Sequence, residues 1–178
     1  GPVRPVRRTY GVARYDGVME KAIKLFKFGG KKRLVKPLAE LMAAFAEQEL
    51  ECDRYALLVP VPLHPVRERE RGFNQARLLA RELAPVFPNA ALADVLRRIR
   101  PTRTQSTLRD PRERRKNIQG AFAMGAIADL AACHVLLIDD VVTTGCTVGE
   151  NAQVLLSAGA ASVDVLAPAL AVLREMPG

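Results

Sequence analysis

Apolar positions along the chain follow two periods, which predict helices that alternate with buried strands. Met19, Ala22, Ile23 and Phe26 lie on one helical face, and a pair of glycines at positions 29 and 30 ends that helix. Similar spacing predicts helices at residues 34–49, 73–83 and 148–156, and a further helix that begins at the N-cap Asp110. Continuous apolar runs predict strands at residues 55–61, 95–99, 120–124, 135–139 and 162–166. This alternation favours a mostly parallel sheet of about five strands, with residues 135–139 as a central strand and residues 55–61 in the same sheet.

Composition limits the class of protein. The chain has 178 residues, of which 49% are hydrophobic and 26% charged, as expected for a globular α/β domain and unlike a collagen or a disordered chain. The apolar run at residues 165–173 is too short to cross a bilayer, which takes ~20 residues, so no membrane insertion is expected. Cys52, Cys133 and Cys146 are odd in number and far apart, which favours a reducing, cytoplasmic location and no zinc site.

Charge is distributed unevenly along the chain. The formal net charge is +8, with +9 in residues 1–37, +5 in residues 85–134 and −4 in residues 135–178. Basic blocks of this kind indicate a polyanionic partner, either nucleic acid or a ligand with several phosphates. A solvated basic surface that aids solubility explains the same charge equally well.

The segment VLLIDDVVTTGCT, residues 135–147, carries the most specific chemistry. A buried strand ends in two adjacent carboxylates, Asp139 and Asp140, and a short hydroxyl-rich loop leads directly into a helix. Backbone N–H groups at a helix N-terminus bind anions, and glycine permits close approach. The carboxylates suit ribose hydroxyls or a water-bound Mg²⁺. Together these groups predict a site for a phosphorylated ribose, whereas a strand and helix with merely capping carboxylates is the structural alternative.

This segment closely resembles the phosphoribosyl pyrophosphate (PRPP) motif of type I phosphoribosyltransferases. The resemblance implies a type I phosphoribosyltransferase-like α/β fold with a small N-terminal hood. It also implies that Asp139 and Asp140 are the catalytic pair that contacts the ribose hydroxyls. Mg²⁺ would arrive with PRPP rather than on direct protein ligands, with a water on Asp139 or Asp140 as a further contact. The implied 5′-phosphate loop comprises Thr143, Thr144, Gly145, Cys146 and Thr147, in which Cys146 is a small filler with a useful backbone N–H.

Further segments are similar to the competence protein F (ComF) family. They lie at residues 15–30, 59–75, 103–105 and 115–122, and the resemblance extends over nearly the whole chain from about Tyr10. It implies a role in DNA uptake during natural transformation. Family members commonly carry a Cys-rich zinc module before this region, and its cysteines are absent from this sequence. No zinc is therefore expected here.

The resemblance also implies a pyrophosphate-binding loop made of Pro62, Leu63, Arg67 and Arg71. Three arginines at alternate positions would share one side of an extended loop, and arginine suits bidentate phosphate contacts. Arg67 and Arg71 are preferred to the third, Arg69. A solvated surface loop with local ion pairs is the alternative.

The remaining candidates are a lid, a hood and a nucleic-acid contact. Basic residues 100–119 are expected to form a flexible lid with contacts from Arg103, Gln105 and Arg109, or else a flexible surface loop. Residues 1–2 are interpreted as a tag remnant, residues 3–33 as a basic hood segment and residues 34–178 as the phosphoribosyltransferase-like domain. The candidate nucleic-acid contacts are Lys31, Lys32 and Arg33.

Two functions therefore remain open. The first is an enzyme that transfers phosphoribose from Mg²⁺-bound PRPP to an unknown acceptor. The second is a non-catalytic competence factor that senses PRPP and binds single-stranded DNA. The ligands expected are PRPP or ribose 5-phosphate, and single-stranded DNA and other competence proteins are the candidate macromolecular partners.

Overall fold

A computed structural model describes residues 4–103, 107–125 and 129–171. Five parallel strands form the main sheet, in the spatial order β1-β7-β6-β2-β3. Their bounds are β1 Arg8–Arg14, β2 Leu57–Pro60, β3 Ala91–Leu92, β6 His134–Ile138 and β7 Ser162–Leu170. The predicted five-stranded parallel sheet is confirmed, with the VLLI strand at its centre and the LLVP strand next to it.

Helices cover both faces of this sheet, and each predicted helix is present. They are α1 Gly17–Phe28, α2 Val35–Glu49, α3 Pro65–Arg71, α4 Gln75–Leu83, α5 Pro111–Ile118 and α6 Cys146–Ser157, with 3₁₀ turns at Lys32–Leu34, Cys52–Arg54 and Ala84–Val86. The predicted Asp110 cap forms, since the Asp110 side chain accepts a hydrogen bond from Arg112 N. The Asn74 side chain caps α4 in the same way, accepting hydrogen bonds from two of its N–H groups. Among the described residues, no helix has the length and apolar character needed to cross a membrane.

The side chains of β6 alternate between two cores. Leu136 and Ile138 pack with α2 and α4 on one face of the sheet, whereas Val135 and Leu137 pack with α6 on the other. A strand buried on both faces reads as a continuous apolar run, which explains why β6 is recognisable from sequence.

Two predicted strands form a separate ribbon rather than part of the main sheet. Strands β4, Leu96–Arg98, and β5, Phe122–Met124, pair antiparallel. Val95 and Leu96 pack into the core on the α6 side of the main sheet. The ribbon therefore carries the polar stretch that contains α5 at one side of the sheet.

Strand β1 was not predicted from the sequence. It pairs with β7 from Arg8–Asp164 to Arg14–Leu170 at the edge of the main sheet. Gly11 allows this approach, because a Cβ there would lie 2.5 Å from the Leu170 Cβ. Part of the segment interpreted as a hood, residues 3–33, thus forms a strand of the main sheet.

The expectation of an extended arginine loop after β2 is wrong. Pro65–Arg71 forms helix α3, because His64 Nδ1 accepts a hydrogen bond from Val66 N and Pro65 occupies a first-turn position. Gly72 ends the helix with a φ of 81°. Arg67 and Arg71 therefore share a helical face four residues apart, and the third arginine points elsewhere.

Candidate functional site

A cleft of about 370 Å³ opens at the carboxyl ends of β2 and β6. In open α/β sheets, ligands bind beyond the carboxyl ends of the strands. The floor of the cleft comes from the segments after these two strands, and its walls come from α1, α3, the β4–β5 ribbon and the N-terminus of α6. Residues far apart in sequence thus meet at one place.

The acid pair lies at the end of β6. Asp140 is buried, with 7% of its surface exposed, and its Oδ2 lies 3.5 Å from Lys27 Nζ. Asp139 Oδ1 accepts a hydrogen bond from the Asp140 backbone N at 2.8 Å. Burial raises the pKa of Asp139 well above the usual range, and the neighbouring Asp140 charge raises it further, while Lys27 opposes the shift. A hydroxyl donor or a cation that reaches this pair would relieve the cost of holding two charges together.

The hydroxyl-rich loop connects the acid pair to α6. Gly145 adopts a left-handed conformation, φ 79°, at the N-cap position of α6, so a substitution there is strained. Thr143, Gly145, Cys146 and Thr147 line the cleft. Thr144 does not line it; its Oγ1 accepts a hydrogen bond from Cys146 N at 3.5 Å. Since a first helical turn presents N–H groups without intrahelical partners, this loop is built to receive an anion.

Helix α3 supplies the opposite wall. Pro62, Leu63, Arg67 and Arg71 all line the cleft, whereas Arg69 is exposed and does not. Burial lowers the pKa of Arg71, and the Arg67 charge lowers it further. The Arg71 guanidinium stacks 5.3 Å from the Phe28 ring centroid, and its Nη1 is buried with no hydrogen-bond partner among the described residues. An anion in the cleft would satisfy this donor.

The structure adds cations that the sequence reasoning did not single out. Arg98, from β4, lines the cleft, stacks 5.2 Å from the Phe122 ring and donates to the Thr102 hydroxyl. Burial lowers the pKa of Arg98 to about 10, helped by the Arg67 charge. One signal could have found it: Leu96 and Arg98 share the inward face of a predicted strand, and a charged residue at an inward position indicates a site.

Charge in the cleft is strongly unbalanced. Among the described residues, seven cations line it, against two carboxylates. The cations are Lys24, Lys27, Arg67, Arg71, Arg98, Arg103 and Arg114. Such a cleft selects a ligand with several negative charges, and the acid pair then accounts for a neutral, hydroxyl-bearing part of that ligand.

The other sequence candidates are not all in the cleft. Arg103 lines it, and the Arg103 backbone exchanges two hydrogen bonds with the Asn117 side chain, at 3.0 and 2.9 Å. Arg109 is exposed and does not line it, and Gln105 lies outside the described residues. The three basic residues proposed to contact nucleic acid are exposed outside the cleft; they are Lys31, Lys32 and Arg33.

A protein-only metal site is not formed by the described part of the chain. Residues 4–103, 107–125 and 129–171 contain no group of three or more His, Cys, Asp or Glu side chains that could hold an ion. Asp139 and Asp140 are hard oxygen donors of the kind that Mg²⁺ prefers. They therefore fit an Mg²⁺ ion whose other ligands come from water and from a phosphorylated ligand.

Comparison with known proteins identifies relatives. No protein-family model matches the chain. The chain is 34% identical over 164 residues to the DNA utilization protein YhgH of Salmonella typhimurium, covering 90% of this chain and 71% of that protein. It is 29% identical to competence protein F of Haemophilus influenzae, and the alignment covers 86% of this chain and 69% of that protein. It is 30% identical to competence protein ComFC of Bacillus subtilis, and the alignment covers 88% of this chain and 61% of that protein.

Solved structures resemble the chain more distantly. The AQ2163 protein of Aquifex aeolicus aligns with a TM-score of 0.45 at 10% identity, covering 94% of this chain and 90% of that one. A glutamic acid mutant from an analysis of an invariant aspartic acid in HPRTs aligns with a TM-score of 0.39 at 15% identity. This alignment covers 83% of this chain and 67% of that one. The family assignment rests on the sequence relatives, and by them the chain belongs to the family of competence protein F and the DNA utilization protein YhgH.

Proposed function

We propose that this protein binds PRPP with Mg²⁺ and transfers its phosphoribosyl group to an acceptor with a nucleophilic nitrogen. One observation carries the proposal: an acid pair with an anion-binding loop faces a wall of arginines across a single cleft. PRPP has a phosphate, a ribose diol and a pyrophosphate, so each part of the ligand has a counterpart. The names of the relatives, competence protein F and DNA utilization protein YhgH, support our further proposal that this activity serves DNA uptake during natural transformation.

Each group in the cleft has a role in this proposal. Asp139 and Asp140 accept hydrogen bonds from the ribose hydroxyls, and residues 143–147 bind the 5′-phosphate. Arg67 and Arg71, with the backbone at residues 62–63, bind the pyrophosphate. Asp139 or Asp140 would hold Mg²⁺ through water, and the ion would supply positive charge that neutralises the leaving pyrophosphate.

The transfer breaks the bond between the anomeric carbon and the pyrophosphate oxygen, and pyrophosphate leaves with the electron pair. The acceptor nitrogen forms the new bond with its lone pair and then releases its proton to solvent. Positive charge that develops on the ribose ring is stabilised by the acid pair, and negative charge on the leaving group by the arginines. Orientation in the cleft supplies much of the remaining acceleration.

A direct assay tests this proposal. The protein is incubated with PRPP, Mg²⁺ and single nucleobases from a panel, and pyrophosphate release is measured. Release that depends on one base supports transfer. PRPP binding without release for any base favours the second candidate, a non-catalytic sensor, and no PRPP binding overturns both.

The second candidate is a PRPP-sensing factor that binds single-stranded DNA and other competence proteins. It is favoured by the exposed cations at residues 31–33 and by Phe28, which is 71% exposed at the cleft. Phosphates would contact the cations, and bases would stack on the ring. We also propose a cytoplasmic location, to which the free thiols of all three cysteines are suited.

DNA binding is expected to respond to the basic cluster at residues 31–33. Replacing Lys31, Lys32 and Arg33 together with glutamine should weaken single-stranded DNA binding for every sequence and reduce the salt slope by about 2, from three lost phosphate contacts. Fluorescence anisotropy at several salt concentrations measures this. PRPP affinity is the control and should not change, because these side chains lie outside the cleft. No detectable DNA binding by the unaltered protein at low salt would remove this candidate surface.

Pyrophosphate binding is expected to depend on one face of α3. Arg71→Met should weaken the binding of inorganic pyrophosphate by about tenfold or more, because it removes a desolvated guanidinium from the cleft. Arg69→Met is the matched control, since Arg69 lies on the same helix but is exposed outside the cleft. Isothermal calorimetry that shows equal losses for both variants would indicate only a general charge effect.

A further inference from the structure

The Lys27 side chain meets the acid pair at the end of β6. It projects from α1 into the cleft, and its Nζ lies 3.5 Å from Asp140 Oδ2. The Lys27 side chain is 27% exposed and the Asp140 side chain 9%, so the pair is largely shielded from water. Shielding strengthens the attraction between these charges and makes an unpaired carboxylate costly.

The acid pair needs a cation whether or not a ligand is bound. Asp139 and Asp140 are adjacent, Asp140 is 7% exposed, and two carboxylates held side by side away from water repel each other. Lys27 forms a direct ion pair with Asp140. Arg71 and Arg98 also line the cleft and act electrostatically on Asp140 and Asp139, respectively.

We infer that Lys27 is the resident counter-cation of the acid pair and competes with a divalent cation for it. With Lys27 in place, part of the negative charge of the acid pair is already balanced, so the pair holds free Mg²⁺ only weakly. Mg²⁺ then enters on the phosphates of the ligand and not as an ion bound beforehand. Lys27 is thus a positioning residue that sets the order in which metal and ligand bind.

Metal binding alone tests this inference without PRPP. Mn²⁺, which stands in for Mg²⁺, is titrated into the protein, and its free fraction is measured by electron paramagnetic resonance. Lys27→Met should bind Mn²⁺ about tenfold more tightly than the unaltered protein, because the uncompensated acid pair attracts the ion. Lys27→Arg keeps the charge and should behave as the unaltered protein does. Lys21→Met, on the exposed surface of the same helix, should do the same.

A variant that also lacks both carboxylates shows where the Mn²⁺ ion binds. Adding Asp139→Asn and Asp140→Asn to Lys27→Met should abolish the gained affinity. Lys27→Gln, which keeps a polar side chain, is measured beside Lys27→Met, and thermal melting shows that each variant is folded. Equal Mn²⁺ affinity in Lys27→Met, Lys27→Gln and the unaltered protein would overturn the inference, as would gained affinity that survives the loss of both carboxylates.

A second measurement uses the ligand and rests on the proposed function. In EDTA, Lys27→Met should lose about tenfold in PRPP affinity, and excess Mg²⁺ should restore most of it, since the metal replaces the missing cation. An equal loss with and without Mg²⁺ would mean that Lys27 contacts PRPP and does not balance the acid pair. Absence of PRPP binding by the unaltered protein would sink the proposed function, while the Mn²⁺ titration would still decide the role of Lys27.

Discussion

Replacing Asp139 and Asp140 together with asparagine is expected to weaken the binding of Mg²⁺-PRPP by at least about tenfold, or about 1.4 kcal/mol. The two carboxylates are the only negative side chains among the described residues that line the cleft, so they are the acceptors available to a ribose diol. Asparagine keeps their size but removes their charge and half of their acceptor capacity.

Isothermal calorimetry measures this loss, and a second pair of acidic residues provides the control. Glu51 and Asp53 are exposed before β2, at the end of the sheet away from the cleft. Their double replacement with glutamine and asparagine changes the net charge equally and should leave PRPP affinity unchanged. Equal affinity of the Asp139 and Asp140 variant and the unaltered protein would exclude the acid pair as the ribose contact.

The raised pKa of Asp139 gives the acid pair a pH signature. Protonation removes a charged acceptor, so PRPP affinity should fall with decreasing pH at a higher pH than an ordinary aspartate would produce. The free energy of unfolding depends on pH in the opposite direction, because a carboxyl whose pKa is raised in the folded state contributes stability at low pH. This contribution is lost as pH rises through the folded-state pKa. Asp139→Asn should remove both dependences.

The local parts of the site could be predicted because they are continuous in sequence. Strand β6, the acid pair and the loop into α6 occupy thirteen consecutive residues whose apolar, acidic and hydroxyl positions follow one another directly. Their structure depends mainly on the local rules for a buried strand and a helix N-terminus.

The places of Arg98 and Lys27 in the cleft could not be predicted because they depend on packing between distant segments. Arg98 reaches the cleft only through the ribbon that β4 forms with β5, and Lys27 only through the way α1 crosses the end of β6. Helix α3 was misread because alternating Arg and Glu satisfies both a strand and a short exposed helix, and the Pro65 and Gly72 boundaries decide between them.

Strand β1 could not be predicted for a different reason: a contact with a distant residue holds it in the sheet. Loss of that contact should strongly lower the free energy of unfolding. Its sequence, RTYGVAR, lacks a continuous apolar run and contains a glycine, so its intrinsic strand signal is weak. What holds it is Asp164 of β7, whose carboxylate is completely buried. That carboxylate accepts hydrogen bonds from Arg7 Nε at 3.0 Å, Arg8 N at 3.1 Å and the Tyr55 hydroxyl at 2.7 Å.

Asp164→Ala is therefore expected to lower the free energy of unfolding by about 3 kcal/mol, because hydrogen bonds to a charged group contribute about 1.5–3 kcal/mol each and the buried Tyr55 hydroxyl is left without this acceptor. The buried Tyr55 hydroxyl and the Arg7 guanidinium lose their shared partner, and the edge of the sheet loses its anchor. Tyr55→Phe is the graded control, because it removes one hydrogen bond and should cost about 1–2 kcal/mol. Urea unfolding measures both values.

Coupling between Asp164 and Arg7 distinguishes an anchored strand from a merely buried carboxylate. If the ion pair holds β1, Arg7→Met should destabilise the protein strongly in the presence of Asp164 and only weakly after Asp164→Ala, with a coupling energy of about 0.5–3 kcal/mol. In these substituted proteins, the amides of residues 8–14 should exchange their hydrogens earlier than those of the core, because an edge strand without its anchor opens first. Additive effects of the two substitutions, or unchanged protection of β1, would contradict this account, and the backbone pairing with β7 would then be sufficient to hold the strand.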